Sequence, residues 1–143
     1  DGTWITKEMQ AAYIALHEQG YAHSVEIWSD GVLVGGLYGV ALGKVFFGES
    51  MFSKRNNTSK LALVYLTKQL ELWDFELIDC QVSSDHLFTL GALEIPRTEF
   101  LEKVNAFAQQ KPHEANNEER HNSQDIIGNW SQRIDRVILQ HEY

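Results

Sequence analysis

The stretch from Lys60 to Trp73 leaves few choices to the rest of the chain. Leu61, Ala62, Leu63, Val64, Tyr65, Leu66 and Leu70 surround nearly the whole circumference of a helix, with Leu63, Leu66 and Leu70 on one stripe. A helix that is apolar on most sides belongs at the centre of a domain, so other elements must cover it. Thr58 or Ser59 is expected to cap its start.

Covering elements are readable on both sides. Thr6 is a fitting N-cap for a helix from Lys7 to Gln19, in which Met9, Ala12, Tyr13 and Leu16 recur at helical spacing and Gly20 closes the last turn. Ser24–Trp28 alternates as a strand, and Ser29-Asp30-Gly31 supplies a hairpin turn into a second strand, Val32–Ala41. Gly35, Gly36 and Gly39 weaken that strand and mark a bulge or a close approach. After Leu42-Gly43, a third strand over Lys44–Glu49 completes an antiparallel meander, and 50–58 reads as a loop. Its Lys54 and Arg55, with Lys60 close by, read as a solvated charge cluster.

Beyond the central helix, Phe75–Val82 reads as a strand, Ser84-Asp85 opens a short helix ended by Gly91, and the segment into Pro96 is extended. Thr98 then caps a helix carrying Phe100, Leu101, Val104 and Phe107. The composition turns polar over 109–125, the signature of a linker. Trp130, Ile134, Val137 and Ile138 recur as in an amphipathic terminal helix over 126–143. With 143 residues, 43% of them apolar, residues 1–108 suffice for one α+β domain, a mostly antiparallel central sheet flanked by helices.

The strand at Phe75–Val82 is the chemically unusual one. Alternation puts Leu77, Asp79 and Gln81 on one face and Ile78, Cys80 and Val82 on the other, with the two polar groups about 6.6 Å apart. Burying a carboxylate and an amide costs several kcal/mol unless they are paired or solvated. Either the two residues meet solvent at a strand end, or they floor an active site. Cys80 points away from both and reads as core, a poor position for a nucleophilic thiol.

Other chemistries find little support. The six histidines are scattered without metal-ligand spacing, so no metal is expected. There is no G-x-S-x-G elbow, no Walker lysine motif and no strand-to-helix G-x-G-x-x-G. A net charge of −8 argues against nucleic acid wrapped over the whole surface. No apolar run is long enough for a membrane helix, no leader pattern opens the chain, and one unpaired cysteine fits a reducing compartment, so a cytoplasmic location is expected. Asp1 begins the chain without a methionine, which reads as a cut edge.

The order helix, meander, buried helix, strand, helix resembles an acyltransferase of the GNAT type. The pyrophosphate loop of a CoA enzyme is missing before Leu61, so a CoA acetyltransferase is a weak alternative and no cofactor is expected. A closer resemblance lies in six blocks: Gly2–Thr6, Leu16–Glu18 with Gly20–Glu26, Val34–Ala41, Phe47–Ser53, Leu77–Val82, and Leu90–Ala92 with Glu94–Arg97. In this order they resemble the bacterial leucyl/phenylalanyl-tRNA-protein transferases.

That resemblance implies a GNAT-like domain that transfers Leu or Phe from aminoacyl-tRNA to the N-terminal Arg or Lys of a protein, marking it for the N-degron pathway. It implies that Gln81 contacts the incoming α-amino group, that Asp79 polarises Gln81, and that Glu49 helps bind the cationic acceptor. It further implies a side-chain pocket of Leu37, Phe46, Met51, Leu63, Leu66 and Leu70, with Gly48 leaving space, and Trp4 near the terminal adenosine of the tRNA. Plain core is the competing reading of the leucines. The family's N-terminal domain, which helps hold the tRNA, has no counterpart here, and the match fades after Leu101. A noncatalytic binder of aminoacyl-tRNA ends or basic N-termini is the alternative function.

Overall fold

The computed structural model describes residues 5–81, 83–112 and Val137–Ile138. Helix α1 spans Lys7–Glu18, with the Thr6 hydroxyl accepting from the Met9 amide at 3.2 Å. It ends as a Schellman motif: Gly20 is left-handed at φ 85°, its amide donates to the His17 carbonyl at 2.9 Å, and the Tyr21 amide donates to the Leu16 carbonyl at 2.8 Å.

Strands β1 (Ala22–Ser29), β2 (Val32–Leu42) and β3 (Val45–Ser53) form the antiparallel meander. Asp30 and Gly31, both at positive φ, make the two-residue turn between β1 and β2 that matches strand twist. Helix α2 (Thr58–Leu72) crosses over and delivers β4 (Leu77–Asp79) parallel to β3. Short α3 (Asp85–Thr89), capped by Ser84, and α4 (Arg97–Phe107) follow. β5 (Val137–Ile138) pairs parallel with Ile27 and Trp28, so the sheet order is β4-β3-β2-β1-β5.

α2 was expected at the centre of the domain, but it buries only one stripe, Thr58, Ala62, Leu63, Leu66 and Leu70, against the sheet, while Tyr65 and Leu72 on its outer face stay exposed. Leu63, Leu66 and Leu70 pack with Val25, Ile27, Val34, Leu37 and Phe46 in one buried cluster between helix and sheet. A side chain at Gly35 would overlap Thr58, so this glycine lets the first turn of α2 sit directly on the sheet. The Thr58 hydroxyl there lies 2.9 Å from the Val34 and Arg55 carbonyls. Neither Thr58 nor Ser59 is the cap; Asn57, left-handed at φ 65°, precedes the helix without a side-chain bond.

Other boundaries also differ from expectation. β3 runs on to Ser53, because Leu37, Gly36 and Gly35 of β2 pair with Met51, Phe52 and Ser53, leaving only a short connection in place of the 50–58 loop. The strand expected over 75–82 shrinks to three residues: Asp74 is left-handed just before it and Gln81 at φ 61° just after it. Pro96 and not Thr98 stands at the N-cap of α4, two residues earlier than expected and without a side-chain cap bond. Of the segment expected as a terminal helix, Val137 and Ile138 are in extended pairing instead. Both are β-branched, which favours a strand where a sheet edge is open. The rest of 126–143, and the linker expected over 109–125 beyond residue 112, lie outside the described residues.

Candidate active site

β3 and β4 run parallel, so their carboxyl ends open at the same end of the sheet, and Phe47 is in register with Asp79. Residues in register share a face. Ile78, opposite Phe46, and Cys80 pack against the core under α2, while Asp79 follows Phe47 to the opposite face. Burial, and then the nearby Asp79 charge, raise the Cys80 thiol pKa, which keeps it protonated. The opposition of Asp79 and Cys80 read from the sequence is thus what is found.

Gln81 departs from the alternation. Its backbone is left-handed, and its amide donates to Asp79 Oδ1 at 2.8 Å, an Asx-type turn at the end of β4. The Asp79 carboxylate therefore organises the backbone that carries Gln81, and both residues border an open groove of about 1610 Å³ between α2, β4, α3 and α4. Leu63 and Leu70 reach the same groove.

On the face that carries Asp79, the next feature is a β-bulge. Gly39 pairs with Gly48 and Tyr38 with Ser50, which leaves Glu49 as the extra residue of β3. A bulge re-aims a side chain and is common beside active sites. Glu49 Oε2 accepts from the Tyr13 hydroxyl of α1 at 2.9 Å, and the Tyr13 and Tyr38 rings meet edge-on with centroids 5.1 Å apart. Burial, followed by the bond to Glu49 and its charge, pushes the Tyr13 phenol up to about 12. Burial and Glu49 raise Tyr38 in the same way. The Tyr38 hydroxyl oxygen is closed off from solvent and has no hydrogen-bond partner among the described residues.

The residues proposed for the side-chain pocket do not stand together around open space. Leu37, Phe46 and Leu66 are closed into the core; Leu63 and Leu70 bridge core and groove. Met51 is 42% exposed on β3 beyond the bulge. The room left by Gly48 faces the Asp79 carbonyl, 3.1 Å from where a Cβ would stand. Trp4 lies outside the described residues. Tyr13 and Tyr38 were not singled out as site residues in the sequence. Tyr13 sits within the apolar stripe of α1, and the bulge that brings Tyr38 beside Glu49 leaves no trace in an apparently regular alternation. Among the described residues, no group of three or more His, Cys, Asp or Glu could hold a metal.

Comparison with known proteins adds to this geometry. Residues 1–105 match the family model described as leucyl/phenylalanyl-tRNA protein transferase. Relatives named leucyl/phenylalanyl-tRNA–protein transferase include one from Cellvibrio japonicus, 63% identical over 110 residues that cover 77% of this chain and 47% of the relative. One from Nitrosospira multiformis is 65% identical over 103 residues, covering 72% of this chain and 44% of the relative. A third, from Saccharophagus degradans, is 54% identical over 112 residues, 78% of this chain and 46% of the relative. The chain spans about half the length of the curated relatives it matches.

Proposed function

Because the chain belongs to the leucyl/phenylalanyl-tRNA protein transferase family, we propose that it forms the part of an aminoacyltransferase in which Leu or Phe is passed from tRNA to the N-terminal Arg or Lys of an acceptor protein. The observation that carries this reading is the pairing of the family match with the turn that ties Gln81 to Asp79 at the carboxyl end of β4, beside β3. On this reading the domain is GNAT-like, works in the cytoplasm, and relies on further chain for a full grip on the tRNA. Its products enter the N-degron pathway.

The reaction is aminolysis of an ester. The acceptor's neutral α-amine attacks the aminoacyl carbonyl, a C–N bond forms, the C–O bond to the ribose breaks, and the proton lost by nitrogen ends on the departing ribose oxygen. An amide is a weak base, so Gln81 contributes by holding the amine on line, and the Asp79-organised turn fixes where Gln81 stands. Glu49 supplies negative charge for a cationic acceptor. The donor's side chain lies where Leu63 and Leu70 reach the groove, and Trp4 stacks on the terminal adenosine.

The test is transfer of radiolabelled Phe from Phe-tRNA to an Arg-initiated peptide, with the chain joined to the remaining portion of the Cellvibrio japonicus relative. Product is expected, together with losses of about 10²-fold or more for Gln81→Ala and Asp79→Ala at unchanged melting temperature. A folded fusion that yields no Phe-Arg product, or variants that turn over as the parent does, would overturn the reading.

A further inference from the structure

β4 stands at the end of the sheet order, and no strand among the described residues pairs with its outer edge. β1, β2 and β3 each contain buried positions, whereas Leu77, Ile78 and Asp79 are all half-buried. Every residue from Phe75 to Gln81 borders the neighbouring groove, without a gap. A groove lying on one face of a strand meets alternate residues, since successive side chains point to opposite faces. An unbroken run means that the groove opens onto the edge itself, where main-chain N–H and C=O groups point outward.

Such an edge is a template for an extended polypeptide, whose own N–H and C=O groups recur at strand spacing. A nucleotide or a single amino acid has no such repeat. The groove, at about 1610 Å³, exceeds the roughly 300–1,000 Å³ of small-molecule pockets. Phe88, Leu90 and Leu93 are exposed along it and offer apolar contacts to side chains. Carboxylates outnumber lysines and arginines on its border, which favours a basic segment over an acidic one.

We propose that the free edge of β4 is the docking strand for the N-terminal segment of the acceptor protein, which adds to the five-stranded sheet as a further, antiparallel strand. The choice of occupant rests on the transferase reading, which places the acceptor's amine at Gln81. β4 runs from Leu77 towards the turn that carries Gln81. A chain that starts at this turn and follows the edge therefore runs back past Asp79 and Leu77, against the direction of β4. Antiparallel pairing is also the more stable kind per residue. The three residues of β4 match about three residues of acceptor behind its first, at about 3.3 Å each. Bonds to main chain read no side chains, so the edge holds acceptors that differ after their first residue.

Backbone N-methylation of the ligand tests this without altering the protein. Calorimetric titration of the chain compares argininamide, an Arg-initiated tetrapeptide amide, and that tetrapeptide N-methylated at its second or at its third residue. In an antiparallel pair, successive residues alternate between bonding the partner strand and facing away from it. One methylation should therefore weaken binding about tenfold, and the other should change it less than twofold. Argininamide should bind about tenfold more weakly than the tetrapeptide. In the fusion, the same methylated position should raise KM for the acceptor with kcat within twofold. Equal effects of the two methylations, argininamide bound as tightly as the tetrapeptide, or a tetrapeptide that does not bind would each overturn the proposal. So would a chain that sediments as a dimer and ignores methylation, because a second copy would then hold the edge. Alternating effects on binding in a chain whose fusion transfers nothing would sustain the docking edge and sink the transferase reading; transfer with a KM indifferent to both methylations would do the reverse.

Discussion

His23 is the most strongly perturbed side chain on β1. Its Nε2 lies 2.9 Å from the Gly20 carbonyl, and the His17 ring stands 6.3 Å away, edge to face. Burial is the main cause that brings its pKa from 6.5 down to about 4; His17 adds to the shift and the bond to Gly20 opposes it. The folded protein therefore keeps this ring neutral where the unfolded chain already binds a proton. The resulting stability is complete above pH 6.5 and is lost as the pH falls through 4. Urea unfolding at intervals from pH 7 to 4 should show a steeper acid decline for the parent than for His23→Gln. Curves of equal slope would show that the ring titrates alike in both states. None of this could be read from the sequence, where His23 is one scattered histidine among six. Its environment is made by the turn after α1, through contacts that spacing does not record.

Among the elements, α2 was the easiest to read and β4 the hardest. The stripe of Leu63, Leu66 and Leu70 is buried as its spacing indicates, whereas Tyr65 and Leu72 on the outer face are exposed, so the helix is covered on one side and not all round. The apolar run at Phe75–Val82 suggested eight residues of strand, but left-handed backbone at Asp74 and Gln81 confines the pairing to three. Alternation places Asp79 and Gln81 on one face, yet Gln81 joins Asp79 through a turn. The glycines of β2 were read as marking a bulge or a close approach, and Gly35 fulfils the second. Its missing Cβ makes room for Thr58. Gly35→Ala should therefore destabilise the protein by about 1–3 kcal/mol, as overpacking does. Thermal melting of Gly35→Ala, alone and combined with Thr58→Gly, checks the cause: the second change should recover part of the loss. If the two losses simply add, contact with Thr58 is not what forbids a side chain there.

At the scale of the molecule, the sheet joins two kinds of connection. β1, β2 and β3 are linked by tight turns, and β3 reaches β4 only through the whole of α2. Sequence made the hairpins plain because their turn residues are local. The parallel pairing was out of reach because its partners are separated by a helix, and so was the gathering of Tyr13, Tyr38 and Glu49. The three-residue length of β4 has a consequence for motion. A segment held by so few ladder bonds opens without the rest of the sheet. Amides of β4 should exchange with deuterium at least tenfold faster than those of Val25 and Ile27 in β1, and mass spectrometry of peptic fragments would read the difference. Equal protection would mean that β4 opens only with global unfolding. If the contrast holds, the edge strand bearing Asp79 can shift on its own while the meander beside it stays closed, so one end of the sheet can change shape without risk to the core.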